Sequence, residues 1–102
     1  MDLALKQLLT LGRGYFEKKQ YERAEKYLSQ IVEQNQSFAD VYNMLGVIYH
    51  DVGQFSRAQQ CFEEALKINP AYTEASLNLA HAVIHLATAP KSNSVYRAIG
   101  AA

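Results

Sequence analysis

The 102 residues contain no tryptophan, one cysteine, two prolines and no excess of either charge, ten Lys and Arg balancing ten Asp and Glu. With Cys61 alone, neither an internal disulfide nor a thiolate-based zinc site can be built. Balanced charge leaves no electrostatic footprint for nucleic acid or an anionic membrane. No apolar run approaches the ~20 residues that membrane insertion as a spanning helix requires. The opening MDLALKQLLTLGRG lacks a basic start followed by a small-residue cleavage site. No secretory signal is therefore expected, and a cytoplasmic chain or piece of a chain is the expectation. Catalytic sets are absent as well. Three histidines, one thiol and several hydroxyls form no nucleophile elbow, and no carboxylate pair has a pocket to tune it. Gly12-Arg13-Gly14 follows no strand and sits in a helical pattern, so it is not a phosphate loop. A non-enzymatic chain without a cofactor is expected.

What is present is apolar character, 49% of residues, in a strongly periodic arrangement sufficient for one domain with a modest core. Tyr42, Leu45, Tyr49 and Val52 recur at helical spacing, predicting a helix from Ala39 to about Val52. Gly53 then ends it, as a residue free to take positive φ. Ser56 is the expected cap of the next helix, whose stripe of Ala58, Phe62, Ala65 and Leu66 stops before Asn69-Pro70. Gly46 and Ala58 are small among large neighbours, which lets two helices approach closely.

A shift of 34 residues superposes this unit on what precedes it. Leu8, Leu11-Gly12, Tyr15, Tyr21, Ala24, Leu28 and Ile31 fall where Tyr42, Leu45-Gly46, Tyr49, Phe55, Ala58, Phe62 and Ala65 follow. Downstream, Ser76, Leu79-Ala80 and Val83 continue the series. The spacing predicts helices at about 2–18 and 21–34, joined near Lys19-Gln20 without a glycine, and a helix over 71–88 with Thr73 as its cap. Asn35 is expected to end the second helix. Glu22 and Lys26 lie on a solvated outer stripe. After Ala89-Pro90 the pattern fails, and residues 89–102 are expected to form an irregular tail with at most a short helix near Ser94–Ile99.

Tyr42, Leu45-Gly46, Tyr49, Gly53, Phe55, Ala58, Phe62, Ala65 and Pro70 together resemble the tetratricopeptide repeat, with Tyr42 standing where the pattern has Trp. Gln36 replaces the Pro usual at the end of the first unit. The resemblance implies an all-α fold, a right-handed α-solenoid of antiparallel helical hairpins. Its units would be about 5–38 and 39–72, with a partial third over 73–88, in a repeat domain of 1–88. It implies function too: a protein-interaction scaffold that binds a partner peptide or helix in the concave groove lined by the first helices. The groove would receive Lys6, Leu9, Arg13, Phe16 and Glu17, then Asp40, Asn43, Met44, Val47, His50 and Asp51. Glu74, Leu77, Asn78, His81 and His85 would complete it. A chaperone-binding subgroup grips a C-terminal carboxylate with Lys, Asn and Arg; here the matching positions hold Leu9, Arg13, Met44, Glu74 and Asn78. Glu74 would repel that ligand, so this is not expected to be a carboxylate-clamp chaperone binder.

Other features have two readings. His81 and His85 share a helix face, and His50 would lie nearby, so His50, His81 and His85 are the candidate metal set if all three converge. No fourth ligand beyond Asp51 and no orienting carboxylate is evident, and polar groove lining is the simpler reading. Seven tyrosines suggest a stacking surface for nucleic acid, but Tyr15, Tyr42 and Tyr49 fall at core positions. Cys61, beside Phe62, reads as a small hydrophobe. Finally, Leu77, Leu79, Ala80, Val83, Ile84, Leu86 and Ala87 spread apolar character around the 73–88 helix. A closing helix of a solenoid should be polar outside. The tail is expected to cover that face, or the face to act as a self-association edge through Leu77, Ile84 and Leu86, giving a homo-oligomer.

Overall fold

The computed structural model describes residues 3–34 and 38–88. Five helices follow one another: α1 (Leu3–Glu17), α2 (Tyr21–Glu33), α3 (Ala39–Asp51), α4 (Phe55–Ile68) and α5 (Thr73–Thr88). No strand occurs among the described residues. The proposed ends at Asn35, Gln36 and the tail segment 89–102, including Ser94–Ile99, lie outside the described residues.

Helices α1 and α2 form one hairpin and α3 and α4 the next, with α5 packed on α4. Each unit is too thin to bury its own apolar face, so α3 is enclosed by contacts with all four other helices. The core follows from that position. Leu28 and Ile31 from α2, Val41, Leu45 and Ile48 from α3, and Ala58 and Phe62 from α4 are buried. The small residues set the spacing: a β-carbon at Gly46 would collide with the Phe62 ring, and one at Gly12 would lie 2.6 Å from Leu28 Cδ2. These two close approaches are the same contact in successive repeats.

Both hairpin turns have one design. Gly53 has φ +87°, its N–H donates to His50 O at 3.1 Å, and Gln54 N donates to Tyr49 O at 2.8 Å. This is the paired 5→2 and 6→1 bonding that closes a helix through a left-handed residue. Thirty-four residues earlier Lys19 has φ +61°, with Lys19 N bonded to Phe16 O and Gln20 N to Tyr15 O, both at 2.9 Å. The first hairpin thus makes the glycine turn with a lysine, at the cost of a strained backbone.

Two expected caps are corrected. Helix α4 begins at Phe55, with Gln54 as its N-cap and no side-chain cap bond, so Ser56 lies inside the first turn. Thr73 is the first residue of α5, its hydroxyl 3.5 Å from Ala71 O, while Tyr72 O accepts the first helical bond from Ser76 N. The chain reaches Tyr72 through a turn in which Asn69 Oδ1 accepts from Ala71 N and Asn69 O from Tyr72 N. Pro70 presets this turn.

Candidate functional site

The first helices α1, α3 and α5 are joined by side chains from neighbouring repeats. Arg13 of α1 pairs with Asp40 of α3, whose other oxygen accepts from Tyr72 Oη at 3.2 Å. Asn78 Nδ2 of α5 donates to Asn43 Oδ1 of α3 at 3.0 Å. His50 Nε2 of α3 stands 2.6 Å from His85 Nδ1 of α5, and Phe55 packs edge-on to His50 and tilted against His85. The last two links span 35 residues each, one more than the repeat. A slide of the sequence by 35 would have paired these residues. The like pairs Asn–Asn and His–His were the available signal.

These links alter the expected groove. Asn43 and Met44 are only 3% and 4% exposed, so they fill the seam of α3 and are corrected from groove lining to core. On α5 the buried or half-buried positions are Ala75, Asn78, Leu79, Ala82 and Leu86, one stripe facing the rest of the protein. Leu77 lies on the opposite side of that helix and is 58% exposed, so it belongs to the outer face. Leu86, expected on the self-association edge, is half-buried on the packed stripe. What remains on the inner side is Leu9 and Phe16, half-buried, with exposed Arg13, from α1. Half-buried Val47 and His50 come from α3, and Asn78 with exposed His81 from α5. An open cleft of about 540 Å³ runs along α1 between Lys6, Leu9, Thr10, Arg13, Gly14 and Glu17.

The three histidines do not converge. His50 and His85 meet, and Asp51 Oδ1 is 3.7 Å from His50 Nδ1. Among the described residues, however, no three His, Cys, Asp or Glu side chains are grouped so as to hold a metal ion. An i,i+4 pair shares a face but its two rings need not aim at one point, and His85 is turned to α3.

On the outer side, α2, α3 and α4 enclose a second cleft of about 290 Å³, lined by Val32, Tyr42, Leu45, Tyr49 and Cys61 with a rim of Ser29, Glu33, Arg57 and Gln60. Tyr49 Oη donates to Glu25 Oε2 at 2.6 Å and accepts from Arg57 Nη2 at 3.0 Å, while the Arg57 guanidinium lies 4.1 Å from the Tyr49 ring centre. Burial and the Glu25 carboxylate push the Tyr49 phenol well above its ordinary value. Burial likewise raises the Cys61 thiol to about 11, against an opposing pull from Arg57. Such a thiol carries little thiolate at neutral pH. Tyr21 Oη donates to Asp51 Oδ2 at 2.6 Å, and that bond, with burial, lifts Tyr21 to about 12. Burial and then Asp40 lift Tyr72 to about 12. Tyr21 and Tyr49 are structural donors between the two hairpins, and Tyr72 donates to Asp40 within the second unit.

Stacked helical hairpins with a small-residue contact and a left-handed turn every 34 residues define a helical-repeat protein. Two models described as tetratricopeptide repeat match residues 39–72 and 9–51, so that together they span 9–72. The chain belongs to the tetratricopeptide repeat family. It is similar to the uncharacterized protein ycf37 of Pyropia yezoensis, 42% identical over 66 residues that cover 65% of this chain and 37% of that protein. It is also similar to the tetratricopeptide repeat domain-containing protein PYG7, chloroplastic, of Arabidopsis thaliana. There the identity is 34% over 85 residues, 79% of this chain and 28% of the relative. The chain thus spans about a third of the length of these curated relatives. Among solved structures, a mutant of MamA shares the fold with a TM-score of 0.77 at 24% identity, over 84% of this chain and 63% of that one. No described helix is long and apolar enough to cross a membrane.

Proposed function

We propose that this chain is a non-enzymatic scaffold that binds a peptide or helix of a protein partner along the inner face of α1, α3 and α5. The observation that carries the reading is the apolar strip of Leu9, Phe16 and Val47, flanked by Arg13, His50, Asn78 and His81. An amphipathic helix or an extended peptide with apolar anchors matches such a lining. The strip stands on helices locked to each other by the Arg13–Asp40, Asn43–Asn78 and His50–His85 links, so the receiving surface is preorganised and ordering it costs little on binding. The partner is a protein rather than nucleic acid, because the surface carries no net positive charge to neutralise phosphates.

A displayed peptide library selected on the protein tests this. Binders should lose at least tenfold in affinity against Val47→Glu and Arg13→Glu, which change half-buried or exposed positions, and be unaffected by Gln60→Glu on the outer rim. Binders indifferent to Val47→Glu and Arg13→Glu would place recognition elsewhere. The sequence expectation for its compartment is the cytoplasm, whereas PYG7 is qualified as chloroplastic. Fractionation of cells carrying the tagged chain decides between them.

A further inference from the structure

Helices α3 and α5 are bonded side chain to side chain at two places along one seam. Near their starts Asn78 Nδ2 donates to Asn43 Oδ1 at 3.0 Å, and near their ends His50 Nε2 stands 2.6 Å from His85 Nδ1. Each helix runs seven residues between its links, from 43 to 50 and from 78 to 85, so the two lie about 10 Å apart. A pair of amides keeps its charge at any ordinary pH, whereas a pair of imidazoles does not. One end of the seam ignores pH and the other responds to it.

The gap between the two rings holds one proton. In the uncharged pair a single N–H lies between Nε2 of His50 and Nδ1 of His85 and makes the bond, whichever ring donates. An added proton is best placed on His50. Its Nδ1 is 3.7 Å from Asp51 Oδ1, and Asp51 is held in position by Tyr21 Oη at its other oxygen. His50 Nε2–H then donates to His85 Nδ1, and the bond becomes charge-assisted. A second proton has to enter on His85 Nδ1. It takes the last lone pair out of the gap and leaves two positive rings with centroids 4.7 Å apart. The bond is then lost. Nothing nearby offsets the second charge. Phe55 of α4 packs on both rings but is uncharged, and α5 adds only His81, one turn before His85. The one carboxylate of α5, Glu74, lies eleven residues before His85, roughly 16 Å along the helix. Water reaches the pair, because the His50 side chain is 23% exposed and His85 is an exposed residue.

We infer that His50 and His85, with Asp51, form a proton-operated latch on the α3–α5 seam. It is closed with no added proton or one, and the second opens it, at roughly pH 5–6. The Asn43–Asn78 bond is the pivot. Helix α5 stays in the stack, because it is packed on α4 along its buried Ala75 and Ala82. Opening therefore widens the inner face between Val47 and His81 without unfolding either helix. The latch goes beyond groove binding and needs no partner, so it stands or falls separately from that reading.

NMR of the full chain, with no partner present, tests it between about pH 8 and pH 4.5, across the imidazole range. The contact between the His50 and His85 rings should be present at the upper end and lost below about pH 6. The Asn43–Asn78 amide contact and the helix content should persist through the loss. His85→Gln, at an exposed position, keeps a hydrogen-bonding side chain without a titrating ring, so contacts between positions 50 and 85 should be the same at both ends of the range. Asp51→Asn should move the opening to higher pH, since the first charge on His50 is no longer offset. His81→Gln should leave it unchanged. Ring contact that survives to pH 4.5 would overturn the latch. So would loss of the Asn43–Asn78 contact and of helix content together with it, which is unfolding, or a His85→Gln chain that opens as the unaltered one does. An unmoved opening in Asp51→Asn would overturn the part assigned to Asp51.

Discussion

At Gly46 an added methyl group meets the Phe62 ring, whereas at Gly14 it meets nothing within 4 Å. Alanine at the two sites should therefore act in opposite directions. Gly46→Ala overpacks the hairpin contact and should destabilise by about 1–3 kcal/mol. Gly14→Ala, inside α1, should stabilise by roughly 0.5–1 kcal/mol through helix propensity. Urea unfolding midpoints of the pair measure both. Lys19 offers a third test, since its φ of +61° costs a residue with a β-carbon about 1 kcal/mol. Lys19→Gly should recover part of that, visible as a higher midpoint at unchanged slope. Among ionisable residues, Tyr21 and Tyr72 are raised to about 12 from an ordinary 10.0. A raised folded value means the stability is fully present below pH 10 and is lost as pH climbs toward 12, because the unfolded phenol ionises first. The melting temperature should be flat through neutral pH and fall across that window. Tyr21→Phe, which removes the phenol facing Asp51, should make the fall shallower.

The helices show which links belong to local pattern and which to assembly. Amphipathic periodicity predicts all five, and their observed bounds lie within about two residues of expectation. Caps were less legible: Ser56 and Thr73 have capping chemistry, yet the turns before them supply the terminal bonds through backbone and fixed φ. On α3 the expected groove residues Asn43 and Met44 proved buried, Asn43 where Asn78 of α5 bonds to it. Asn43→Ala should destabilise by roughly 1–3 kcal/mol, since it leaves the Asn78 amide without its partner across the seam. The same substitution at an exposed inner position such as His81 should change stability by less than about 0.5 kcal/mol. Thermal unfolding of the two variants separates a seam residue from a lining residue.

Among the described residues α3 touches all four other helices and α4 lies between α3 and α5, while α1 and α5 are the outermost helices of the stack. Stability in such a stack is roughly a sum of unit and neighbour terms. Opening should therefore proceed from the ends, and amide hydrogen exchange should be slowest in α3 and α4 and faster in α1 and α5. Equal protection in all five helices would mean that the repeats unfold as one body.

The sequence by itself determined the family, the helices and the repeat. A period of 34 residues that sets Leu11-Gly12 over Leu45-Gly46, Ala24 over Ala58 and Leu28 over Phe62 is a local pattern, and local patterns are written in local spacing. Only the tertiary structure decided which polar residues link repeats and which face outward. Asn43 with Asn78 and His50 with His85 are far apart in sequence, and the rotation of α5 about its own axis selects them. That rotation turns Leu77 out and Asn78 in, although the two are adjacent. It is fixed by where Ala75 and Ala82 find room against the rest of the stack, which no single helix contains.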